Sequence, residues 1–393
     1  MSLRRDRART TGSSRPVHGI VPPHLLQQIS RAADEEQARA AEQTLAVGRQ
    51  VAGHREVRAA RTRRPGFPGS ATGLLPPHLE QRLTGPRTAH AHAATESVAV
   101  LRRSIHDAQH GTALPGTLVR GEGGASVGDE SVDEAYDGLG ATWELYHQAF
   151  SRNSLDDAGM ELIATVHYGQ DFQNAFWDGE QMIFGDGDGV YFQSFTNAVD
   201  VIGHELTHGV VQFTAGLIYV AQPGALHESI ADCFGAMVKQ RALGQSAEEA
   251  DWLIGEGLFT ERVQGVALRS MKAPGTAYDD PVLGKDPQPA SMADYADLPH
   301  DEENDNGGVH VNSGIPNRAF QLAATGIGGS SWEGAGVLWY DALTSSGLPK
   351  DADFATFAAA TLEAAAARHG EGSAQQAAVA EAWRTVGVLD GQG

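Results

Sequence analysis

The feature that most constrains the fold of this sequence is the run His204-Glu-Leu-Thr-His208. In an α-helix, residues four positions apart lie on one face, so both imidazoles can reach one metal ion. Glu205 lies about 100° further around the helix, where its carboxylate can reach a water molecule on that ion. A catalytic zinc ion takes three protein ligands and keeps one position open. The run therefore predicts a zinc site whose third ligand comes from elsewhere in the chain.

Glu228 is the candidate third ligand, because it opens a second helical pattern downstream in which Asp232 follows one turn later. Asp232 could accept a hydrogen bond from the free ring nitrogen of a metal-bound histidine, which would orient that ligand. A surface helix with two solvated histidines and a glutamate is the alternative interpretation. The additional Glu-x-x-x-Asp pattern favours the metal site.

The charge distribution limits the partners of the chain. The formal net charge is −21, yet residues 1–95 contain 15 Arg and only 7 acidic residues. Phosphate contacts need Lys and Arg, so the acidic remainder argues against nucleic-acid binding. The basic segment could dock onto the acidic body by charge, although two solvated surfaces of opposite sign are an equal alternative. No apolar run reaches the roughly 18 residues of a membrane helix, so we expect no membrane partner.

The N-terminal residues 1–96 have a character of their own. Residues 24–51 predict a helix that follows two prolines, and residues 59–71 predict a linker. A Pro-Pro-His-Leu element occurs at residues 22–25 and again at 76–79, inside stretches that share six of twelve positions. A duplicated docking element would explain this pattern, and chance similarity of two helix starts is the alternative. No apolar segment follows the basic N-terminus, so we expect no standard secretory signal.

The rest of the chain predicts an α+β fold. Strands are predicted at residues 162–167, 181–184 and 190–192, with a Gly-Asp-Gly-Asp-Gly turn at 185–189. Helices are predicted at residues 199–213, 225–242, 312–326, 332–345 and 353–369. We therefore expect a β-rich lobe over residues 97–213 that ends in the metal-binding helix. A mainly helical lobe would follow over residues 214–393.

Several sequence blocks together resemble the thermolysin family of zinc metallopeptidases, the gluzincins, over roughly residues 100–393. The blocks are residues 174–177, 185–189, 200–208, 214–219, 224–235, 268–271 and 305–314. Blocks that match in one order are far more specific than a single motif. The resemblance implies a two-lobed catalytic domain with a zinc cleft between the lobes, peptide or protein substrates, and a monomer.

The resemblance also implies a role for each matching residue. The ligands of one zinc ion would be His204, His208 and Glu228. Glu205 would be the general base that takes a proton from the attacking water. Asp232 would orient a zinc-bound histidine from behind.

Substrate contacts follow from the same resemblance. Tyr219 and His310 would stabilise the oxyanion of the tetrahedral intermediate, with Asp305 orienting His310. Arg269 would bind the substrate carbonyl beyond the scissile bond. The extended substrate chain would be held by Asn174 and the backbone of Ala175.

A pocket for the residue just after the scissile bond is implied as well, and we name it the apolar pocket. Its residues would be Phe192, Phe195, Val201, Ile254 and Leu268. All five are apolar, which predicts cleavage on the N-terminal side of Leu, Ile, Val or Phe. Each of them is also an ordinary core residue type.

Two positions depart from the family pattern. Position 227 is His where the family usually has Asn, and we expect it to pack near the site without binding the metal. Asp200, Asp251 and Glu256 match a double calcium site, but Lys239 occupies the position of a bridging carboxylate. An ammonium group can replace one ion by charge, so we expect at most one calcium.

The N-terminal segment resembles the short propeptide of the protealysin-like branch of the family. That resemblance implies a zymogen whose residues 1–96 cover the cleft as an intramolecular inhibitor and are removed near residues 88–101. We expect the first Pro-Pro-His-Leu element to dock and the second to lie near the processing site. The family implies export, whereas the absent signal implies a cytoplasmic start or a non-standard route.

Two other functions are compatible with parts of this pattern. The chain could be a catalytically silent binding protein that keeps the peptidase fold, or a hydrolase of another amide. Glu205, Tyr219 and His310 argue against the first. Asn174 and Arg269 predict a groove for an extended chain and argue against the second.

Overall fold

The computed structural model describes residues 18–62, 99–345 and 347–390. They form two N-terminal helices, a lobe built on a mixed sheet, and a helical lobe. The predicted α+β, two-lobed architecture is confirmed. None of the helices in the described ranges is long and apolar enough to cross a membrane.

A six-stranded sheet organises the first lobe, in the order β1-β5-β6-β4-β2-β3. Its strands are β1 (His18–Gly19), β2 (Arg103–Asp107), β3 (Thr117–Gly121), β4 (Leu162–Val166), β5 (Ala175–Trp177) and β6 (Met182–Phe184). β4 runs parallel to both β2 and β6, whereas β1 pairs antiparallel with β5. The N-terminal segment therefore completes one edge of the sheet.

The prediction of a strand at residues 190–192 was wrong. Only Phe192 makes a single bridge, to Phe259. The carboxylate of Asp188 accepts hydrogen bonds from the backbone N–H groups of Val190, Tyr191 and Phe192, at 2.8–3.1 Å. These bonds curl the chain into a loop, because an aspartate that caps its own downstream backbone competes with strand pairing.

Three helices carry the centre of the molecule: α3 (Glu130–Phe150), α4 (Val199–Phe213) and α5 (Ala221–Leu243). The sequence patterns predicted α4 and α5 but not α3. α4 and α5 pack closely where Gly235 faces α4, because a Cβ on Gly235 would collide with the carbonyl oxygen of Asp200. This close approach brings the histidines of α4 next to Glu228 of α5.

In the part of the second lobe that the structure describes, five further α-helices follow α5. They are α6 (Asp305–Asn312), α7 (Gly314–Ile327), α8 (Ala335–Thr344), α9 (Phe354–His369) and α10 (Ala374–Thr385). Two-residue strand pairs precede them, β7 (Leu253–Ile254) with β8 (Arg269–Ser270), and β9 (Asp279–Asp280) with β10 (Gly284–Lys285). Trp339 and Trp383 stack at 5.8 Å in the core of this lobe.

The N-terminal helices are α1 (Pro23–Ala32) and α2 (Glu35–Thr62). The single helix predicted for residues 24–51 is thus two helices, because Ala33 takes an extended conformation at φ −85° and ψ 173°. Glu35 and Glu36 then begin α2, where acidic side chains favour a helix N-terminus. The predicted linker at 59–71 begins inside α2, and its remainder lies outside the described residues, as does the second Pro-Pro-His-Leu element.

Candidate active site

The predicted metal ligands come together at the contact between α4 and α5. The Nε2 atoms of His204 and His208 lie 3.1 Å apart. Glu228 Oε2 lies 3.4 Å from His204 Nε2, and its Oε1 lies 3.6 Å from His208 Nε2. All three side chains are at most 1% exposed. Two imidazoles and one carboxylate converging on one buried point fit zinc, which favours nitrogen and oxygen ligands in this number.

Asp232 lies behind this cluster and contacts three groups. Its carboxylate accepts bonds from His204 Nδ1, from Arg269 Nε and Nη2, and from Asn317 Nδ2, all at 2.8 Å. Burial disfavours the charged form, but Arg269 and His204 outweigh it and hold the pKa of Asp232 well below its usual range. The carboxylate is therefore ionised and holds the ring of His204 through its Nδ1 atom.

Glu205 is fully buried beside the cluster. Its Oε2 atom accepts a hydrogen bond from the backbone N–H of Trp177 at 3.0 Å and lies 3.9 Å from His208 Nε2. The backbone of β5 therefore holds this carboxylate close to the predicted metal position, but not among the three predicted ligands. This position suits a base that acts on a water molecule at the metal.

His310 and Tyr219, both from the helical lobe, lie beside the cluster. Asp305 accepts a bond from His310 Nδ1 at 2.6 Å and another from the His310 backbone N–H at 2.8 Å. The left-handed backbone at Asp305, with φ 56°, turns this carboxylate back toward the ring. The hydroxyl group of Tyr219 donates a hydrogen bond to Glu228 Oε1, and its oxygen lies 3.4 Å from His310 Nε2. The two residues predicted to stabilise the oxyanion therefore lie next to the predicted third metal ligand.

Electrostatics keep His310 protonated. Burial lowers the pKa of His310, but the neighbouring Glu228 and Asp305 carboxylates raise it more, to about 9. A protonated ring has an N–H on each side, one facing Asp305 and the other facing the cleft.

The first Pro-Pro-His-Leu element lies in the cleft, and we call residues 18–32 the docked segment. Asn174 Oδ1 accepts from the Val21 N–H at 3.0 Å, and Asn174 Nδ2 donates to the Val21 carbonyl at 3.3 Å. Arg269 Nη1 donates to the Ile20 carbonyl at 2.9 Å. The residues predicted to hold an extended substrate thus hold this segment.

The five residues predicted to form the apolar pocket are all buried, none more than 2% exposed. The rings of Phe192 and Phe195 lie 5.7 Å apart. Ile20 of the docked segment is fully buried in the same hydrophobic core.

His227 packs at the rim of the metal cluster. Its ring centroid lies 4.9 Å from that of His208 and 5.6 Å from that of Tyr219. Among the described residues, the group that could hold a metal ion consists of His204, His208 and Glu228.

Lys239 occupies the predicted calcium site. Its Nζ atom lies 2.9 Å from Asp251 Oδ2 and 2.9 Å from Glu256 Oε2. Burial lowers the pKa of Lys239, but Asp200, Glu256 and Asp251 raise it more, so the ammonium stays charged. Asp200 is nearly fully buried and accepts from the backbone N–H groups of Val201 and Gly255. The carboxylates are thus already paired within the chain.

Two contacts of the site had no signal in the sequence. Asn317 reaches Asp232 from α7, and Tyr278 lies 3.0 Å from His24 Nε2 in the docked segment. Both pairs are far apart in sequence, so no local spacing could have indicated them.

The two-lobed fold, the buried His-His-Glu cluster and an adjacent groove that holds an extended chain define a metallopeptidase. The sequence-family model of the thermolysin metallopeptidase catalytic domain matches residues 89–212. The family model of the thermolysin metallopeptidase α-helical domain matches residues 215–388. The chain belongs to the thermolysin metallopeptidase family, as the resemblance implied.

Similar proteins agree with this assignment. An extracellular metalloprotease of Pectobacterium carotovorum subsp. carotovorum is 48% identical over 95% of this chain and 97% of its own length. Protease PrtS of Photorhabdus sp. (strain Az29) is 54% identical over 73% of this chain and 76% of its own. The solved precursor of protealysin from Serratia proteamaculans is 48% identical, with a TM-score of 0.79, over 95% of this chain and all of that one. The predicted likeness to the protealysin-like branch is confirmed.

Proposed function

We propose that this protein is a zinc-dependent endopeptidase, made as a zymogen, that cleaves peptide bonds before bulky apolar residues. The observation that carries the proposal is the buried convergence of His204, His208 and Glu228 beside Glu205. A bound zinc ion would polarise the substrate carbonyl and acidify the attacking water.

The protein side chains supply the remaining steps. Glu205 takes the proton of the attacking water and later transfers it to the leaving amine. His310 and Tyr219 donate hydrogen bonds to the oxyanion that develops on the carbonyl oxygen. Asn174 and Arg269 hold the extended chain so that the carbonyl carbon faces the water.

The zymogen part of the proposal rests on the docked segment and on the protealysin precursor as a structural relative. Residues 1–96 would be the propeptide, residues 97–213 the β-rich lobe and residues 214–393 the helical lobe. The propeptide would act as an intramolecular inhibitor, and removal near residues 88–101 would release a monomeric enzyme. We further propose export from the cell, in line with the extracellular name of one relative.

A direct test is the Glu205→Gln variant of the processed enzyme. We expect the kcat on a chromogenic peptide to fall about 10²–10⁴-fold, because the base is lost. One zinc per chain should remain, since Glu205 is not among the three ligands. Glu363→Gln, at an exposed position on α9, is the matched control and should keep full activity. A zinc-loaded parent enzyme without peptidase activity would support the silent binding protein instead.

The apolar pocket makes a second prediction. In a peptide library, the position after the cleaved bond should favour Leu, Ile, Val or Phe over Asp or Lys by more than about tenfold, because a charge there would be desolvated. The ratio of kcat/KM values measures this preference. A preference for acidic or basic residues would contradict the assignment of the pocket.

A further inference from the structure

One peptide bond of the docked segment lies where a substrate would react. The Gly19 carbonyl oxygen lies 3.0 Å from His310 Nε2, the proposed oxyanion donor. The next carbonyl, of Ile20, accepts from Arg269 Nη1 at 2.9 Å. Arg269 is the residue assigned to the carbonyl beyond the scissile bond, so the Gly19–Ile20 bond occupies the scissile position.

The direction of the segment is also that of a substrate. β1 pairs antiparallel with β5, with Gly19 opposite Phe176. The Ile20 N–H, which would become the leaving amine, donates to the Ala175 carbonyl at 3.2 Å. A segment bound in the reverse direction would not place its carbonyl groups at His310 and Arg269 and its N–H group at the Ala175 carbonyl in this order.

The side chains on both sides of this bond fit. A Cβ on Gly19 would lie 2.9 Å from Asn174 Nδ2 and 3.1 Å from the Ala175 carbonyl oxygen, so a larger residue would push the bond away from His310. Ile20 is fully buried, and isoleucine is one of the residues expected after the cleaved bond. The Gly19–Ile20 bond therefore has a residue without a side chain before it, where space is limited, and an apolar residue after it.

We propose that the enzyme hydrolyses its own Gly19–Ile20 bond, so that the docked segment is a substrate before it is an inhibitor. The inference rests on the proposed peptidase function. One water is consumed: its oxygen joins the Gly19 carbonyl carbon, the C–N bond breaks, and both protons of the water end on the Ile20 nitrogen. The products are a Gly19 carboxylate and an Ile20 ammonium group.

The cut leaves the cleft covered. On the Ile20 side, Leu25, Leu26 and Ile29 of α1 are at most 2% exposed, and His24 lies 3.0 Å from the Tyr278 hydroxyl. The new N-terminus is therefore held in place by the whole helix. β1 ends at the cut, and on that side the described residues His18 and Gly19 pair with Trp177 and Phe176 of β5. Each molecule accordingly cuts itself once, and the product remains an inhibited zymogen.

The test follows the zinc-loaded full chain by intact mass and N-terminal sequencing. We expect a species that lacks residues 1–19 and begins with Ile20. Its first-order rate should not depend on protein concentration, because the bond is cut within the molecule. Glu205→Gln should stay uncut at this bond, and its zinc content and unfolding temperature should match those of the parent. A concentration-dependent rate, or cleavage at Gly19–Ile20 in Glu205→Gln, would overturn the proposal.

A matched pair of variants tests the register. Ile20→Leu should still be cut at residue 19, whereas Ile20→Asp should not, because its charge does not fit an apolar pocket. The uncuttable Glu205→Gln chain gives a second readout. Hydrogen exchange at the Ile20 and Val21 amides should be slow, and at least tenfold faster when Ile20→Asp is added. Unchanged exchange would contradict the placement of Ile20.

The two proposals can fail separately. If the processed enzyme cleaves peptides while the full chain stays intact at Gly19–Ile20, the self-cleavage proposal is wrong and the proposed function stands. If the zinc-loaded processed enzyme cleaves nothing, the proposed function is wrong, and self-cleavage is wrong with it.

Discussion

At the scale of single residues, the site depends on Asp232 more than its position behind the ligands suggests. This carboxylate joins His204 of α4, Arg269 of β8 and Asn317 of α7, and it is fully buried. A histidine ligand needs its second nitrogen held, and a buried guanidinium needs an opposite charge. One side chain meets both requirements.

We therefore expect Asp232→Asn to weaken zinc binding about 10–100-fold, because the amide is a poorer acceptor for His204 Nδ1–H. Competition with a chromogenic chelator measures the affinity. Asp341→Asn, which breaks an exposed pair with Arg368, is the control and should leave zinc binding unchanged. Circular dichroism separates lost zinc from lost folding, since Arg269 would lose its charged partner. Wild-type zinc affinity in a folded Asp232→Asn protein would refute this role.

At the scale of elements, Lys239 of α5 ties that helix to the loop that carries Asp251 and Glu256. Its ammonium group lies between carboxylates that would otherwise repel one another. A divalent cation held by oxygen ligands would make the same link in other chains. The Lys239 side chain thus supplies a positive charge at a position where a bound cation could otherwise supply it.

The Lys239→Glu variant should restore a dependence on calcium. Without calcium, the added repulsion should lower the unfolding temperature. With calcium at about 100 times its Kd, binding adds about 2.7 kcal/mol and should raise that temperature by several degrees. Differential scanning calorimetry in calcium and in a calcium-selective chelator measures the difference. The exposed Lys272→Glu should show no calcium-dependent shift, and a similar response of both variants would count against the site.

At the scale of the whole molecule, the docked segment and the helical lobe meet at a titratable group. His24 packs beside Tyr278, and its Nδ1 atom is buried without a hydrogen-bond partner among the described residues. Burial lowers the pKa of His24 to about 4, and only Asp305 opposes this shift, while His310 and Arg269 add to it. The docked segment therefore binds with a neutral His24.

Acid should weaken this docking. An undocked His24 has a pKa of about 6.5. Between pH 6.5 and 4 the undocked imidazole therefore binds a proton, whereas the docked imidazole stays neutral. Docking is at full strength above pH 6.5 and should weaken up to tenfold per pH unit from there toward pH 4. His310, with its pKa of about 9, stays protonated throughout this range.

Hydrogen exchange at the Val21 amide in the full-length Glu205→Gln chain measures the release. His24→Gln keeps a polar partner for Tyr278 but does not titrate, so its exchange should change far less between pH 7 and 5 than that of the parent, after correction for intrinsic rates. An equal pH response in the two proteins would contradict the role of His24.

The metal site was the most predictable part of the molecule. His204, Glu205 and His208 share α4, and Glu228 and Asp232 share α5, so their relative positions follow from the helical repeat. The helices α4 and α5 that carry these residues were predicted from the sequence pattern, whereas α3 and the break at Ala33 were not. Residues 190–192 failed as a strand because Asp188 captures their backbone N–H groups.

The sequence by itself determined the residues that share a helix face, and through the family blocks it determined the class of enzyme. Only the tertiary structure decided that α4 and α5 close around one point, that Asn317 reaches Asp232, and that the Gly19 carbonyl lies beside His310. The reason is physical. Spacing within a helix is set by hydrogen bonds four residues apart, whereas contacts between distant elements depend on side-chain packing that no local pattern encodes.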